Sequence, residues 1–298
     1  MGKTGIDRLL DGFQSGRLDR RGFIKGATAL GISAPAIGAL LGGPEAASAQ
    51  AGGGVLQLGR ESEFTPMFLP FKAATGGQTQ VFDLIFSRLL KVDADTNLAP
   101  DLAESYEVSP DATVFTFNLR KDATWHDGTP LTAKDVVFTY KLAMTAAAGA
   151  RQYGKLSQIK GAAAFHDGTT TEVEGLEMPD DYTVRWTLEK PNVAFMIGTA
   201  LANSLVWILP EHIFKDADPA TLDQHPAIVK PTVGSGPYKF VEFKPGDMIR
   251  AERNPDYHIK NQPHFDTLEI KGGGDAVSAA RAVLQTGEYD FAWNMQVE

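Results

Sequence analysis

Apolar and polar residues follow short periods along most of the chain, and these periods predict a mixture of strands and helices. Runs in which apolar and polar residues alternate predict strands at residues 55–58, 105–108, 113–119, 184–188, 248–253, 267–271 and 289–293, and a continuous apolar run predicts another at 205–209. Near-helical spacing of apolar residues predicts helices over roughly 79–89, 133–144, 195–202 and 276–286. Small strands lie between the α/β units, so the pattern predicts a mixed α/β protein with an antiparallel embellishment.

Several predicted helices carry recognisable end signals. Thr132 is a natural N-cap, and Asp135 three residues later supplies a carboxylate version of the capping box. Pro210 suits the first position of a short helix, and Asp275 is placed to cap the helix that follows it. Gly287 is placed to end that helix.

Composition and charge narrow the class of protein. The 298 residues, 43% of them hydrophobic and 22% charged, suit one large globular domain or two ordinary ones. A net charge of -9 repels phosphate backbones, so we expect no nucleic-acid partner. The chain has no cysteine, which excludes disulfides, thiolate metal sites and cysteine nucleophiles.

The first 49 residues resemble a twin-arginine export signal. Arg20 and Arg21 begin an R-R-x-F-I-K sequence, and a weakly apolar run over 26–43 follows it. The small residues Ala47-Ser48-Ala49 predict cleavage after Ala49. The resemblance implies passage through the twin-arginine translocase and a periplasmic location. The alternative is an amphipathic helix with a chance pair of arginines.

No catalytic or metal-binding motif stands out in the mature chain. There is no nucleophile elbow, phosphate-binding loop or dinucleotide fingerprint. No two histidines are spaced i, i+4, and each histidine is interpreted as a surface loop residue: His126, His166, His212, His225, His258 and His264. We therefore expect a binding protein with no enzymatic activity, no metal and no cofactor.

Three long stretches resemble the solute-binding proteins of peptide/nickel-type ABC importers, the dipeptide- and oligopeptide-binding family. They read APDLAESYEVSPDATVFTFNLRKDATWHDGTPLTAKDVVFTYK, VGSGPYKFVEFKPGDMIRAERNPDYH and FDTLEIKGGGDAVSAARAVLQTGEYDFAW. Together they span almost all of residues 55–294 in the order that the family has. The chain departs from the family at His258, where tryptophan is usual, and at the triple glycine 272–274.

The resemblance implies a type II periplasmic-binding-protein fold of two lobes. We expect a signal peptide at 1–49, the first part of lobe I at 50–95, an inserted β-rich subdomain at 96–190 and the rest of lobe I at 191–298. The sequence ends where the family's crossing to lobe II begins, so lobe II is expected to be absent and ligand binding to be weak. The implied partners are a peptide or small polar ligand and an inner-membrane ABC permease.

The resemblance also suggests which residues face the ligand and which support the fold. The G-S-G-P-Y stretch is expected to be a scaffold, in which Pro237 sets the start of a strand and Tyr238 and Phe240 anchor it. The alternative is direct ligand contact by Tyr238. Ligand-facing positions are expected before the first long helix, after the helix at 133 and after the last strand: Ala74, Thr75, Gly76, Gly77, Tyr153, Trp293 and Asn294.

Open alternatives concern single residues and the function itself. Trp293 suits hinge packing as well as ligand stacking, and Tyr153 suits either core packing or ligand contact. The same fold also serves exported sensors and chaperone-like binding modules. An exported enzyme is a third, weaker alternative.

Overall fold

The structure is a computed structural model, and it describes residues 5–15, 17–18, 20–30, 53–60, 69–72, 76–93, 95, 97–195, 207–231, 233–245, 247–271 and 275–292. The chain divides into two compact units, Met1–Gly52 and Gly53–Glu298. Among the described residues, no helix is both long and apolar enough to cross a membrane.

The described residues of the first unit form two helices, α1 (Gly5–Gln14) and α2 (Arg20–Ala29). They pack against each other through a small apolar cluster. Phe23 and Ala27 are fully buried at its centre. Partly buried side chains surround them: Ile6, Leu9, Leu10, Phe13 and Leu18. This cluster makes residues 5–30 a helical hairpin.

The second unit contains eleven strands among its described residues. They are β1 (Val55–Gly59), β2 (Leu90–Val92), β3 (Leu98–Pro100), β4 (Ala103–Val108), β5 (Val114–Leu119), β6 (Leu176–Asp180), β7 (Thr183–Thr187), β8 (Tyr238–Lys244), β9 (Met248–Arg253), β10 (Thr267–Lys271) and β11 (Phe291–Ala292). The α-helices described between them are α3 (Gly76–Ile85), α4 (Ala133–Met144), α5 (Tyr153–Leu156), α6 (Ala162–His166), α7 (Glu211–Phe214), α8 (Pro226–Val229) and α9 (Ala276–Arg281), the last continued by a π turn at Ala282–Thr286.

The larger sheet is mixed, with strand order β11-β1-β10-β9-β8. Strands β11, β1 and β10 run parallel, whereas β9 and β8 form an antiparallel hairpin beside them. Tyr238 and Phe240, at the start of β8, are buried. The expectation that they anchor this sheet is consistent with their burial.

A second sheet has four antiparallel strands in the order β4-β5-β7-β6, and α4 packs on one of its faces. Strands β2 and β3 form a separate antiparallel pair. Trp186 lies at the centre of the contact between α4 and the four-stranded sheet and is fully buried. Its ring centroid is 4.7 Å from that of Phe117 and 4.7 Å from that of Tyr140. Alternation along β5 and β7 therefore places large side chains on the α4 side and polar ones on the other.

The end signals of α4 and α9 are confirmed. The Asp135 carboxylate accepts a hydrogen bond from the Thr132 backbone N–H at 2.9 Å, and α4 begins at Ala133. Asp275 caps α9 by accepting from the Ser278 backbone N–H at 2.7 Å. Gly287 ends the π turn with φ of 65°.

Other sequence predictions need correction. The helix predicted at 79–89 spans Gly76–Ile85, because the Ile85 carbonyl accepts hydrogen bonds from another loop. Trp207, Ile208 and Leu209 are buried but not in a strand. The Ile208 N–H donates to the Ser87 carbonyl, and the Leu209 N–H donates to the Thr139 hydroxyl.

Two further differences concern element ends. Pro210 is the N-cap of α7 rather than its first residue. The last strand is described only as Phe291–Ala292, and the helix predicted over 195–202 lies outside the described residues after Phe195.

Candidate functional site

The carboxyl ends of three parallel strands meet at one edge of the larger sheet. Gly59 at the end of β1 is in register with Lys271 of β10 on one side and with Ala292 of β11 on the other. The chain leaves β1 towards α3 and leaves β10 towards α9. In open α/β sheets, ligands bind outside the carboxyl ends of strands where such connections diverge. We therefore take this edge as the candidate site.

Arg60 is the first residue beyond β1 at this edge. It is only 4% exposed, and its backbone N–H donates to the Lys271 carbonyl at 2.9 Å. Placing a guanidinium inside a protein requires hydrogen-bond acceptors or negative charge around it. Arg60 therefore places a buried, positively charged residue next to this edge of the sheet. Sequence patterns alone do not indicate a role for Arg60, because one arginine after a strand forms no motif.

Gly59 lets an aromatic ring pack against the same edge. A β-carbon at this position would lie 2.2 Å from Cδ2 of Tyr289, so only glycine fits there. A second contact holds the middle of β1, where the Asp290 carboxylate accepts a hydrogen bond from the Gln57 backbone N–H at 2.9 Å. These contacts fix β1 and the segment before β11 side by side.

The structure describes three of the seven expected ligand-facing residues. Gly76 and Gly77 form the start of α3, and Tyr153 is the first residue of α5. Four residues lie outside the described parts of the chain: Ala74, Thr75, Trp293 and Asn294. The Arg151 N–H donates to the Phe71 carbonyl at 3.2 Å, which joins the segment before α3 to the segment before α5.

Tyr153 is held by a second ring. Its ring stacks on the His166 imidazole with centroids 3.6 Å apart and an interplanar angle of 14°. The His166 Nδ1 is in turn 2.8 Å from the Met144 carbonyl. Burial raises the pKa of Tyr153, and the nearby Asp167 adds to the increase. One face of Tyr153 thus has a packing role, and its contact with a ligand stays a prediction.

The glycine-rich loop before β8 packs directly on the end of α3. The backbone N–H groups of Ser235 and Gly236 both donate to the Ile85 carbonyl, at 3.0 and 2.8 Å. The Ser235 hydroxyl accepts from the Ser87 N–H at 3.0 Å, and the Ser87 hydroxyl donates to the Ser235 carbonyl at 3.0 Å. Such tight backbone approach was expected of a scaffold element.

His126 lies in a loop, as predicted, but it is partly buried and its ring bonds to the same glycine-rich loop. Its Nδ1 accepts from the Gly234 backbone N–H at 3.1 Å, and its Nε2 lies 3.0 Å from the Gly236 carbonyl. Both contacts are satisfied by the neutral ring with its proton on Nε2. Burial lowers the pKa of His126 to about 4, and the charge of Lys239 works in the same direction.

This lowered pKa predicts a loss of stability in mild acid. The unfolded chain takes up the proton near pH 6.5 and the folded chain only near pH 4, so stability is complete above pH 6.5 and falls between pH 6.5 and 4. Between pH 7 and pH 4.5, His126 should account for about 2 kcal/mol of the decrease in the free energy of unfolding. Urea unfolding of a His126→Asn variant should show a correspondingly weaker pH dependence.

The exposed His264 provides the matched control. A His264→Gln variant should keep the pH dependence of the parent protein. Equal pH dependence of the His126→Asn variant and the parent would show that His126 does not contribute in this way.

A second histidine, His258, is also buried rather than exposed. Its Nε2 is 2.8 Å from Oδ1 of Asp101, and the other carboxylate oxygen accepts from the Arg88 backbone N–H at 2.8 Å. The Arg120 guanidinium donates to the His258 carbonyl at 2.9 Å. The cluster links the segments before β4 and after β5 to the turn after β9.

Within the described residues, no group of three or more histidine, aspartate or glutamate side chains is arranged to hold a metal ion. The edge itself is formed by the backbone ends of β1, β10 and β11, with Arg60 and Lys271 at the ends of β1 and β10. These features suit the binding of a polar or anionic group by hydrogen bonds and charge.

Comparison with known proteins identifies the family. The family of bacterial extracellular solute-binding proteins, family 5 (middle region), matches residues 97–298. The oligopeptide-binding protein AppA of Bacillus subtilis is 32% identical over 240 residues, which cover 80% of this chain and 40% of AppA.

Solved structures of relatives have the same fold. AppA from Bacillus subtilis in complex with a nonapeptide matches with a TM-score of 0.69 and 29% identity, over 80% of this chain and 44% of that one. AgaA from A. tumefaciens in complex with agropinic acid matches with a TM-score of 0.65 and 30% identity, over 79% and 43% of the two chains. The described α/β fold is thus that of the periplasmic binding proteins, and the chain spans less than half the length of these relatives. The chain belongs to family 5 of the bacterial extracellular solute-binding proteins.

Proposed function

We propose that this chain contributes the first lobe of a solute-binding protein that captures a peptide or similar small polar solute for an ABC permease. The family match over residues 97–298 carries the proposal. Relatives are named for oligopeptides, and one solved relative holds agropinic acid, so the fold accepts more than one kind of polar ligand. The partner of the loaded protein would be the inner-membrane permease.

The ligand would lie against the carboxyl edge of β1, β10 and β11. The backbone N–H of the buried Arg60 donates to the Lys271 carbonyl at this edge, and the positive charges of these two residues would favour a ligand carboxylate. Gly76 and Gly77 would line the site with backbone groups, and Trp293 and Asn294 would follow β11 at the same edge. The glycine-rich loop and His126 would act behind this wall as a rigid support.

Export would place the protein in the periplasm. The R-R-G-F-I-K sequence starting at Arg20, the apolar run and the cleavage pattern ending at Ala49 support export by the twin-arginine translocase. The family's description as extracellular agrees with a location outside the cytoplasm. The division at residues 49, 95 and 190 is likewise proposed from the family resemblance.

Native mass spectrometry of the protein recovered from the periplasm of its own host tests the proposed function. We expect a noncovalent adduct whose mass identifies a peptide or small polar solute. An Arg60→Gln variant should reduce the affinity for that solute about tenfold or more, because hydrogen bonds to charged groups contribute about 1.5–3 kcal/mol. Isothermal titration with the identified solute measures the change.

Two variants make this result interpretable. Arg60→Lys keeps the charge and should retain part of the affinity, and Lys134→Gln changes an exposed cation on α4 and should bind like the parent protein. Circular dichroism establishes that each variant is folded. A periplasmic protein with no adduct and no binding to mixed peptides would contradict the proposed function.

A further inference from the structure

The helix that begins at the twin arginines is covered on one side by the helix that precedes it. Phe23, the aromatic residue of R-R-G-F-I-K, is 0% exposed in the hairpin. Its ring centroid is 5.3 Å from that of Phe13 on α1. In contrast, Ile24 is 40% exposed and Lys25 is exposed. The hairpin therefore hides one part of the motif and displays another.

Small residues on α2 form the surface on which α1 packs. A β-carbon at Gly26 would lie 2.6 Å from Cδ2 of Leu9, so the absence of a side chain there lets Leu9 pack close to the α2 backbone. Ala27 is fully buried beside it. The Leu18 N–H donates to the Gly12 carbonyl at 2.9 Å and helps to close the turn between the helices.

The lengths of the two helices and of their connection allow α1 to separate from α2. Each helix has ten residues, and isolated helices of this length are marginal in water, so each depends on packing against the other. The connection between Gln14 and Arg20 is short and keeps α1 at a high effective concentration near α2. The closed state can thus persist and still be displaced by a competing partner.

We propose that α1 is an intramolecular cap on the export signal, which keeps Phe23 from the translocase receptor until the receptor displaces α1. This inference rests on the proposed twin-arginine export. A receptor that reads the phenylalanine must contact its ring, and the ring cannot contact both α1 and the receptor. The exposed Ile24 and Lys25 remain available for a first encounter, after which opening of the hairpin limits the rate of export.

Pulse-chase export of the full chain in its own host tests the cap. A Leu9→Ser/Phe13→Ser variant removes apolar contacts of α1 and should be exported severalfold faster than the parent. Arg8→Ser alters an exposed position of the same helix and should leave the rate unchanged. Unchanged or slower export of the double serine variant would overturn the cap, and slower export would indicate that the hairpin is recognised as a unit.

An Arg20→Lys/Arg21→Lys variant tests the twin-arginine export proposal independently of the cap. The double lysine variant should not be exported, and adding the Leu9→Ser/Phe13→Ser substitutions to it should not restore export. Normal export of the lysine variant would refute the twin-arginine proposal. Loss of export by the lysine variant, with no effect of the serine variant, would refute only the cap.

A reversible cross-link provides a second test. The chain has no cysteine, so Leu9→Cys/Gly26→Cys introduces one defined pair across the α1–α2 contact. The oxidised precursor should not be transported into inverted membrane vesicles, and reductant should restore transport. Equal transport of the oxidised and reduced precursors would overturn the cap, and failure of the pair to form a disulfide would contradict the closed hairpin.

Discussion

A Gly234→Ala variant is expected to lose at least about 3 kcal/mol of unfolding free energy, because the added methyl group has no space. A β-carbon at this position would lie 2.0 Å from the Ile85 carbonyl oxygen. At Gly236, the corresponding distance to the Leu84 carbonyl oxygen is 2.6 Å. The clashing atoms belong to the backbone at the end of α3, so they cannot move aside as a flexible side chain does.

Making room for the methyl group would separate the loop from α3. The hydrogen bonds from Ser235 and Gly236 to the Ile85 carbonyl would lengthen, as would the two bonds between Ser87 and Ser235. Each buried hydrogen bond contributes about 0.5–1.5 kcal/mol, and overpacking typically costs about 1–3 kcal/mol. Both effects follow from the same displacement, and together they account for the expected loss of at least about 3 kcal/mol.

Urea unfolding at neutral pH measures the effect, and Gly154→Ala is the matched control. Gly154 lies in α5, and a β-carbon there would meet no atom within 4 Å. Alanine is favoured over glycine in helices, so this control should be neutral or more stable by up to about 1 kcal/mol. If Gly234→Ala and Gly154→Ala had the same stability, the close approach of the loop to α3 would be wrong.

Local periodicity was enough to predict the elements that rely on local interactions. The strands β5, β9 and β10 and the helix α4 have side chains whose pattern matches their own burial, and Thr132 and Asp275 signal the starts of helices within a few residues. The same reasoning failed where a distant partner decides the structure. The backbone of Ile208 and Leu209 bonds to Ser87 and Thr139, so an apolar run that resembles a strand is not one.

The candidate site was harder to predict than the fold. The carboxyl ends of β1, β10 and β11 are in register, which brings Gly59, Lys271 and Ala292 together. More than two hundred residues separate Gly59 from Lys271 and Ala292 in the sequence. No spacing rule in the sequence connects them. Arg60 belongs to no motif, and the family-like stretch that contains His126 does not indicate that its ring bonds to the glycine-rich loop. The importance of these residues follows from the burial of Arg60 and from contacts of His126 that only the folded chain makes.

A His258→Ala variant is expected to lose about 3–5 kcal/mol of unfolding free energy, because it removes one partner of a buried pair. The side chains of His258 and Asp101 are 1% and 7% exposed, and their Nε2 and Oδ1 atoms are 2.8 Å apart. Without the imidazole, one oxygen of the Asp101 carboxylate is left inside the protein without its hydrogen-bond donor. Asp101→Ala should cost a similar amount, since it also removes the acceptor of the Arg88 N–H.

An exposed pair of the same residue types provides the control. The Nε2 of His212 is 2.9 Å from Oδ2 of Asp127, but these side chains are 32% and 34% exposed. Water can replace either partner there, so His212→Ala should cost no more than about 1 kcal/mol. Urea unfolding at constant pH compares the two sites directly.

A double-mutant cycle separates the interaction of the buried pair from the loss of packing. If the pair is coupled, Asp101→Ala/His258→Ala should cost less than the sum of the two single variants, by about 0.5–3 kcal/mol. Equal costs for His258→Ala and His212→Ala, together with strict additivity in the cycle, would show that the buried pair has no special role. The expected difference has one physical cause. At the exposed His212–Asp127 pair, water can replace a lost partner, whereas at the buried His258–Asp101 pair it cannot.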